Sequence, residues 1–293
     1  MRRGKPMPDG AAPRTRADRC PGVLRPWPAA DGLLVRLRLV GGYLPTVALA
    51  RLMKVSAEFG DGAVYVTTRA NLQLRGLPGH AGFLTPAALA AVESTGLLPS
   101  RSHELVRNIM VSPQSGYAGG RADLRPVAAQ LDTLLRADPH LAGLPGRFLF
   151  VLDDGRGDLL SRRCDAGLVA LSATQVQLRI GDYWGPVVDV VEAAGRLVEL
   201  AAEFQALRGT AAEAPWHIRE LTCPLSPLWQ VCAADPRIPA PSGPLPFGSV
   251  PGGVHLHVPD GVLTASLAGP LLEHSELVVT PQQGVFIPQE AAQ

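Results

Sequence analysis

Residues 64–78, VYVTTRANLQLRGLP, contain two short strand-like runs that are joined by a basic, amide-rich turn. In residues 64–67 and 72–74 apolar and polar side chains alternate, which is the period of a strand with one buried face. Because side chains alternate across a strand, Leu72 and Leu74 are predicted to point into a core. The stretch therefore predicts a hairpin whose outer face and turn are polar.

The polar residues of this hairpin are candidates for an anion-binding site. Asn71, Gln73 and Arg75 fall on the strand face opposite the leucines. Arg69 lies in the connection, where a guanidinium can reach an anionic ligand with two donors at once. A solvated hairpin with a polar outer face has the same spacing, so both interpretations stay open at this point.

Length and composition indicate a globular chain. The 293 residues suggest one large or two ordinary domains. Hydrophobic residues make up 46% and charged residues 18%, which is ample material for a core. The formal net charge of +1 argues against a chain-wide nucleic-acid binder and leaves room only for a local basic patch.

Cysteine usage and hydropathy predict a cytoplasmic protein. The four cysteines, Cys20, Cys164, Cys223 and Cys232, are widely spread and form no CxxC pair, which is typical of free thiols in a reducing compartment. The charged N-terminus is followed by no apolar signal segment. No apolar run approaches the length of about 18 residues that a membrane span needs.

A strand–helix–strand–strand unit occurs twice in the chain. Residues 32–40 alternate as a strand, residues 45–58 have the apolar stripe of a helix, and the hairpin follows. Residues 252–259, 263–274 and 276–288 repeat this order near the C-terminus. The duplication predicts two half-domains that pair into one pseudo-symmetric sheet. Alternation also places Arg36 and Arg38 on the polar face of the first sheet.

Between the two units the sequence predicts a separate α+β layer. Helical stripes cover residues 126–138 and 186–208, and strands are predicted at 146–152, 167–171 and 175–180. The intervening DDGRGD, residues 153–158, is predicted to be a solvated hairpin turn, with an acidic metal loop as the alternative. Residues 223–246 are Pro-rich and aperiodic, which predicts a linker.

The motifs resemble those of a known family. TTRANLQLRG at residues 67–76, followed by VRNIMVSP at 106–113, resembles the nitrite/sulfite reductase family. CPGVLRPWPAADG at 20–32 and LPGRFLFVLDDGRGD at 144–158 resemble the precorrin-3B synthase branch of cobalamin biosynthesis. The resemblance covers roughly residues 20–290.

The resemblance implies a fold and a division into domains. The fold class is α+β, with two ferredoxin-like half-domains, duplicated β-α-β-β units, that pair around a central α+β domain of the nitrite/sulfite reductase type. The expected division is a disordered tail at 1–22, a half-domain at 23–84, the central domain at 85–222, the Pro-rich linker at 223–246 and a second half-domain at 247–293.

The resemblance also implies a site at the junction of these domains. In the family, basic residues there hold tetrapyrrole carboxylates or a small oxyanion, beside a 4Fe–4S cluster and with sirohaem or non-haem iron. The synthase branch hydroxylates a precorrin and forms a lactone with dioxygen. By motif position the implied binding residues are Arg69, Arg107 and Arg147, supported by Asn71, Gln73, Arg75 and Asn108.

The chain also departs from the family pattern. The family's cluster motif, C-x5-C followed by C-x3-C, has no counterpart in the spacing of the four cysteines, so no intrinsic cofactor is expected. Gln282 and Gln283 stand where the second repeat of the family carries a Trp-Arg pair. The resemblance thus implies a truncated, synthase-like oxidoreductase that binds a tetrapyrrole or oxyanion and works with a separate cluster-bearing chain. The alternatives are a non-catalytic anion-binding relative and an interaction module.

Overall fold

The structure, a computed structural model, describes residues 18–211, 213–221 and 230–289. These residues form three five-stranded sheets, a two-stranded ribbon and five α-helices. The mixture confirms the predicted α+β class. Most of the predicted tail, part of the Pro-rich segment and Cys223 lie outside the described residues.

The first sheet has one face buried beneath a helix, as its alternating sequence predicts. Val35, Leu37, Leu72 and Leu74 are at most 1% exposed and share one apolar cluster with the inner face of the helix. The elements are β1 (Trp27–Ala29), β2 (Gly32–Leu37), β3 (Tyr43–Pro45), α1 (Thr46–Phe59), β4 (Val64–Val66), β5 (Leu72–Leu77), β6 (Gly79–His80), β7 (Phe83–Leu84) and α2 (Pro86–Ser94).

The α2 helix contributes buried side chains to the core of this first unit. Ala88 and Val92 are fully buried in the cluster that holds β2 and β5. The domain boundary after residue 84 stays a prediction, and this packing favours a boundary after Ser94 instead.

The middle unit is a mixed sheet whose helices cover one face. Its largest apolar cluster joins α3 and α4 to that face, and a small cluster of Met110, Leu149, Val151, Leu159 and Cys164 lies apart from it. The elements are β8 (Ile109–Val111), α3 (Arg125–Ala137), β9 (Phe150–Asp153), β10 (Ala166–Ala170), β11 (Gln175–Ile180), β12 (Tyr183–Asp189) and α4 (Val190–Arg208).

The acidic loop after β9 is not the solvated hairpin turn that its sequence predicts. Strands β9 and β10 are parallel, so the loop is a crossover between them. Asp153 is fully buried, and its carboxylate accepts hydrogen bonds from the backbone N–H groups of Gly155, Gly157 and Leu159. The aspartates of this loop thus order the crossover from inside instead of facing solvent.

The last unit repeats the order of the first with a shorter helix. Its helix has seven residues, against fourteen in α1. The elements are β13 (Gly248–Val250), β14 (Gly253–His257), β15 (Val262–Leu263), α5 (Ala265–Leu271), β16 (Glu276–Thr280) and β17 (Gly284–Pro288).

The two repeated units form two sheets, so the expectation of a single pseudo-symmetric sheet is wrong. The strand orders are β1-β2-β5-β4-β15 and β13-β14-β17-β16-β3. Each sheet therefore ends in a short strand that the other unit contributes. The exchange is reciprocal, because β3 pairs with β16 and β15 pairs with β4.

A glycine in each unit permits the exchange. Gly42 has φ +77°, and a Cβ atom on it would lie 2.1 Å from the Val279 carbonyl oxygen. Gly261 has φ +70°, and its Cβ would lie 2.7 Å from the Val66 carbonyl oxygen. Only glycine has neither the strain nor the clash at such positions, so the exchanged strands can approach the opposite unit closely.

Candidate functional site

The turn that carries Arg69 is held rigidly at the end of the first sheet. The Thr67 hydroxyl accepts the Asn71 backbone N–H at 3.1 Å, and Ala70 takes a left-handed φ of +54°. The Asn71 side-chain oxygen accepts the Leu39 N–H at 2.9 Å, which ties the turn to the end of β2. Asn71 is therefore a buried support for the turn.

The Arg69 side chain reaches the loop that carries Arg147. Arg69 Nη1 lies 3.4 Å from the Arg147 carbonyl oxygen. The Arg147 guanidinium lies 4.9 Å from the centre of the Trp216 ring and 3.6 Å from an Asp18 carboxylate oxygen. Its side chain remains 45% exposed, so its donors are accessible to a ligand.

Arg36 lies near Arg69 and Arg147, although its position in the sequence alone does not single it out. Its guanidinium donates two hydrogen bonds to the Gln73 side-chain oxygen, at 2.6 and 3.1 Å. Burial lowers the pKa of Arg36, and the nearby charges of Arg69 and Arg147 lower it further. We call Arg36, Arg69 and Arg147 the guanidinium cluster.

Arg38 lies behind the guanidinium cluster and is almost wholly buried. It donates to the Asn108 side-chain oxygen at 3.0 Å and to the Glu104 carbonyl at 3.2 Å. Burial is the main cause that lowers the pKa of Arg38 to about 10, and Arg36 adds to the effect. Its Nη2 atom is buried without a hydrogen-bond partner among the described residues.

Asp18 and Cys20, which lie near the guanidinium cluster, offset little of its positive charge. Asp18 contacts Arg147 at 3.6 Å. Burial raises the pKa of the Cys20 thiol, so this group carries no charge at neutral pH. Among the described residues, the three positive charges of the guanidinium cluster have one ion-pair partner, the Asp18 carboxylate at Arg147, and this excess favours an anionic ligand.

Two of the predicted binding residues lie elsewhere. The Arg107 guanidinium is buried against the Asp132 carboxylate, which also accepts a hydrogen bond from Arg136. Arg75 pairs with Asp31 at 3.1 Å on the exposed side of the sheet. Neither is part of the guanidinium cluster, so their role in ligand binding stays a prediction.

Asn108 supports the site from within. Its amide nitrogen donates to the Leu105 and Gly146 carbonyl oxygens, at 3.0 and 2.9 Å, while its oxygen accepts from Arg38. It therefore fixes both Arg38 and the loop that presents Arg147.

The turn of the second half-domain repeats the backbone of the first without its charge. The Thr280 hydroxyl accepts the Gly284 N–H at 3.2 Å, and Gln283 has φ +56°. Gln282 occupies the position that corresponds to Arg69, and its side-chain oxygen is buried without a partner among the described residues. The neighbouring Pro281 carbonyl accepts a bond from Arg162 at 3.4 Å.

The best-formed cavities do not coincide with the guanidinium cluster. One, of about 570 Å³, lies between α3 and the β3–β16 strand pair. A cavity of about 310 Å³ is lined by Arg38 and Arg107, and neither cavity includes Arg69 or Arg147. We therefore assign the guanidinium cluster by its charge and contacts.

The described residues do not fit an iron–sulfur cluster. Cys20 and Cys164 are buried thiols, and Cys232 is partly exposed. Within the described ranges, the one group of three side chains close enough to share a metal ion is Asp153, Asp154 and Asp158, with no cysteine. Burial raises the pKa of Asp158 to about 7, and Asp153 is saturated by backbone N–H groups.

Comparison with known proteins gives concordant matches. Residues 28–81 match the nitrite/sulfite reductase ferredoxin-like half domain. A precorrin-3B synthase of Sinorhizobium sp. is 30% identical over 152 residues, which is 50% of this chain and 30% of that protein. A ferredoxin–nitrite reductase of Synechococcus elongatus is 34% identical over 130 residues, which is 42% of this chain and 25% of that protein.

A solved structure has the same fold. The Mycobacterium tuberculosis NirA protein superposes with a TM-score of 0.61 at 14% sequence identity, over 92% of this chain and 59% of that chain. The matched segments span about a third or less of the curated relatives' lengths. Among the described residues, no helix is both long enough and apolar enough to cross a membrane.

Proposed function

We propose that this chain, a relative of the nitrite/sulfite reductase family, binds a polycarboxylate tetrapyrrole through the guanidinium cluster. The observation that carries the proposal is that Arg69 contacts the Arg147 carbonyl and that Arg36 lies close to both, while Asp18 pairs with Arg147 alone among the described arginines of the cluster. The matched precorrin-3B synthase supports a precorrin as the ligand class.

The physical basis is that the protein has already assembled the cations. Three guanidiniums repel one another, and ligand carboxylates relieve that repulsion when they bind. Each guanidinium can engage a carboxylate with two parallel N–H donors. Gln73 holds Arg36 and the Trp216 ring supports Arg147, so little side-chain freedom remains to be lost on binding.

We further propose that any redox step depends on a separate, cluster-bearing chain. The described cysteines provide no cluster ligand set. The role assigned to this chain is to bind the acid groups of the tetrapyrrole and to fix its orientation through Arg36, Arg69 and Arg147. A cytoplasmic location remains part of the proposal.

Titration with uroporphyrin, an octacarboxylate tetrapyrrole, tests this function. We expect a saturable change in its absorption spectrum, and Arg69→Ala and Arg147→Ala are each expected to weaken binding roughly tenfold. Arg75→Ala is the matched control, because it removes a guanidinium from the same hairpin outside the guanidinium cluster. Equal affinity in all four proteins would refute the site.

A second candidate is a site for a small oxyanion, without redox chemistry. The buried, unpartnered Nη2 atom of Arg38 favours it, because such a donor is satisfied by a bound anion. Calorimetric titration with sulfite separates the two candidates. Sulfite binding without uroporphyrin binding would support the oxyanion site, and iron and sulfide analysis of the reconstituted protein would show whether a cluster forms.

A further inference from the structure

A second feature, a cavity, lies where the three units of the fold meet, and none of Arg36, Arg69 and Arg147 lines it. Its walls come from α3, from the segment around Val40 and Tyr43, and from Val278 of β16. Its volume is about 570 Å³, which is within the range of small-molecule sites. We call it the junction cavity.

The inner wall of the junction cavity is largely apolar. Val40, Val111, Pro126, Ala128 and Val278 line it. A cavity of this size, with an apolar wall and a few polar groups, is typical of a small-molecule site, because burial of the ligand's apolar surface supplies the affinity.

Aromatic rings and a guanidinium form one side of the junction cavity. The Arg125 guanidinium lies 4.4 Å from the centre of the Tyr117 ring, and Asp123 neutralises it with a contact of 2.8 Å. The Tyr117 hydroxyl donates to Glu276 at 2.8 Å, so that carboxylate is turned toward the tyrosine. This side of the junction cavity therefore offers an aromatic surface on which a ligand can stack. The charges of Arg125 and Asp123 cancel, so the remaining charge on this side is that of Glu276.

The other end of the junction cavity carries excess positive charge. Asp132 and Arg136 line this end, and Arg107, which is not part of the lining, also bonds to Asp132, so two guanidiniums share one carboxylate. Arg136 uses its Nε atom for that bond at 3.0 Å. Among the described residues, its two terminal nitrogens donate no hydrogen bond, and its side chain is 33% exposed.

We propose that the junction cavity binds a flat, largely apolar organic molecule that carries one acidic group, with the acidic group at Arg136. The apolar wall receives the body of the ligand, and the uncommitted donors of Arg136 receive its anion. The site shares no residue with the guanidinium cluster, so a test of this proposal does not depend on whether the chain binds a tetrapyrrole. A ligand there contacts all three units at once.

Two fluorescent probes test both parts of the proposal. 8-Anilinonaphthalene-1-sulfonate has a flat apolar body and one sulfonate, whereas N-phenyl-1-naphthylamine has the same ring skeleton without the acid. We expect saturable binding of both at one site, with the sulfonate the tighter. Arg136→Gln is expected to weaken sulfonate binding roughly tenfold and to leave the neutral probe unchanged.

A pair of neighbouring substitutions locates the binding. Ala129 lines the junction cavity, and Gln130 is the next residue on α3, is exposed and does not line it. Ala129→Trp is expected to abolish binding of both probes, while Gln130→Trp keeps it. Thr133→Phe, a second cavity-filling change, serves if circular dichroism shows that Ala129→Trp is unfolded.

Two results would overturn the proposal. Unchanged binding in folded Ala129→Trp and Thr133→Phe would place the probes on some other apolar surface. Equal affinity for the two probes, together with no effect of Arg136→Gln, would refute the acidic group.

Discussion

The turn at Thr67–Asn71 and the turn at Thr280–Gly284 have the same backbone and opposite chemistry. In both, a threonine hydroxyl accepts the N–H four residues on, and the residue before that N–H has a left-handed φ. One turn presents Arg69 and the other presents Gln282. The comparison teaches that the threonine hydroxyl and the left-handed residue maintain the turn in both places, so the side chain at the position between them can differ.

The two half-domains also differ in how their sheets are covered. Leu37 of β2 is 1% exposed, whereas Leu256, at the matching place in β14, is 39% exposed. The register establishes the match, since Leu37 pairs with Leu72 and Leu256 pairs with Val285. The short α5 helix leaves part of the second sheet uncovered.

The largest expected effect comes from removing these two leucine side chains. Leu37→Ala is expected to lower the free energy of unfolding by about 2 to 5 kcal/mol, because it leaves a cavity in a closed core. Leu256→Ala is expected to cost less than about 1 kcal/mol, because much of that side chain already contacts solvent. Urea denaturation of both variants measures the difference. Equal losses would show that something covers Leu256 in solution.

Giving Arg69 the side chain of its counterpart, Gln282, tests the chemical difference between the two turns. Arg69→Gln gives the first turn the side chain of the second, and we expect it to raise the uroporphyrin dissociation constant roughly tenfold, about 1.4 kcal/mol. Gln282→Ala is the control and is expected to change that constant less than about twofold. If Gln282→Ala weakens binding as much as Arg69→Gln, the two turns contribute equally and the contrast is lost.

A pH difference between the half-domains is expected at His255, whose counterpart in the first half-domain is Arg36. His255 is buried and bonds to Thr280 at 2.9 Å, and burial lowers its pKa. The unfolded chain therefore binds this proton first, and the free energy of unfolding falls as pH drops below about 6.5, by at most about 1.4 kcal/mol per pH unit.

Two histidine variants measure this contribution. His255→Gln is expected to lose less stability than the wild type between pH 7.5 and 5.5 (about two pH units) in urea denaturation. His257→Gln, two residues along the same strand and exposed, is the control and is expected to follow the wild type. Identical pH profiles in all three proteins would contradict a buried neutral His255.

The smallest effect is expected at Arg75, whose counterpart in the second half-domain is Pro288. The Arg75–Asp31 pair has both side chains about 40% exposed. Because exposed ion pairs contribute about 0 to 1 kcal/mol, Arg75→Ala is expected to change the unfolding free energy by less than about 1 kcal/mol. Thermal melts at low and high salt measure this, and a larger loss would assign Arg75 a structural role.

Sequence patterns could predict the duplication but not the exchange of strands. The repeated order depends on alternation in Val35 to Leu39 and on the threonine turns, which are local signals. Strands β3 and β15 have three and two residues, too few to show a period. Their partners lie about 200 residues away in the chain, so no local pattern could reveal the pairing.

The sequence likewise singles out individual site residues by local motifs but does not show which distant residues they contact. The motif pattern groups Arg69, Arg107 and Arg147, and the structure places the Arg69 side chain 3.4 Å from the Arg147 carbonyl oxygen but Arg107 against Asp132. The motif pattern cannot show that Asp132, which lies 25 residues after Arg107, neutralises that arginine. Arg36 lay on the correct face by alternation, yet only its contact with Gln73 and its nearness to Arg69 make it part of the site.

Through the reciprocal strand exchange, each half-domain completes the sheet of the other. Without its borrowed strand, either sheet would present a bare edge, and bare edges invite aggregation. Neither sheet can close until both ends of the polypeptide have been made and have met, which makes this closure a late event in folding. The exchange also joins the two sheets by hydrogen bonds, so the charged turn and the neutral turn belong to one connected assembly.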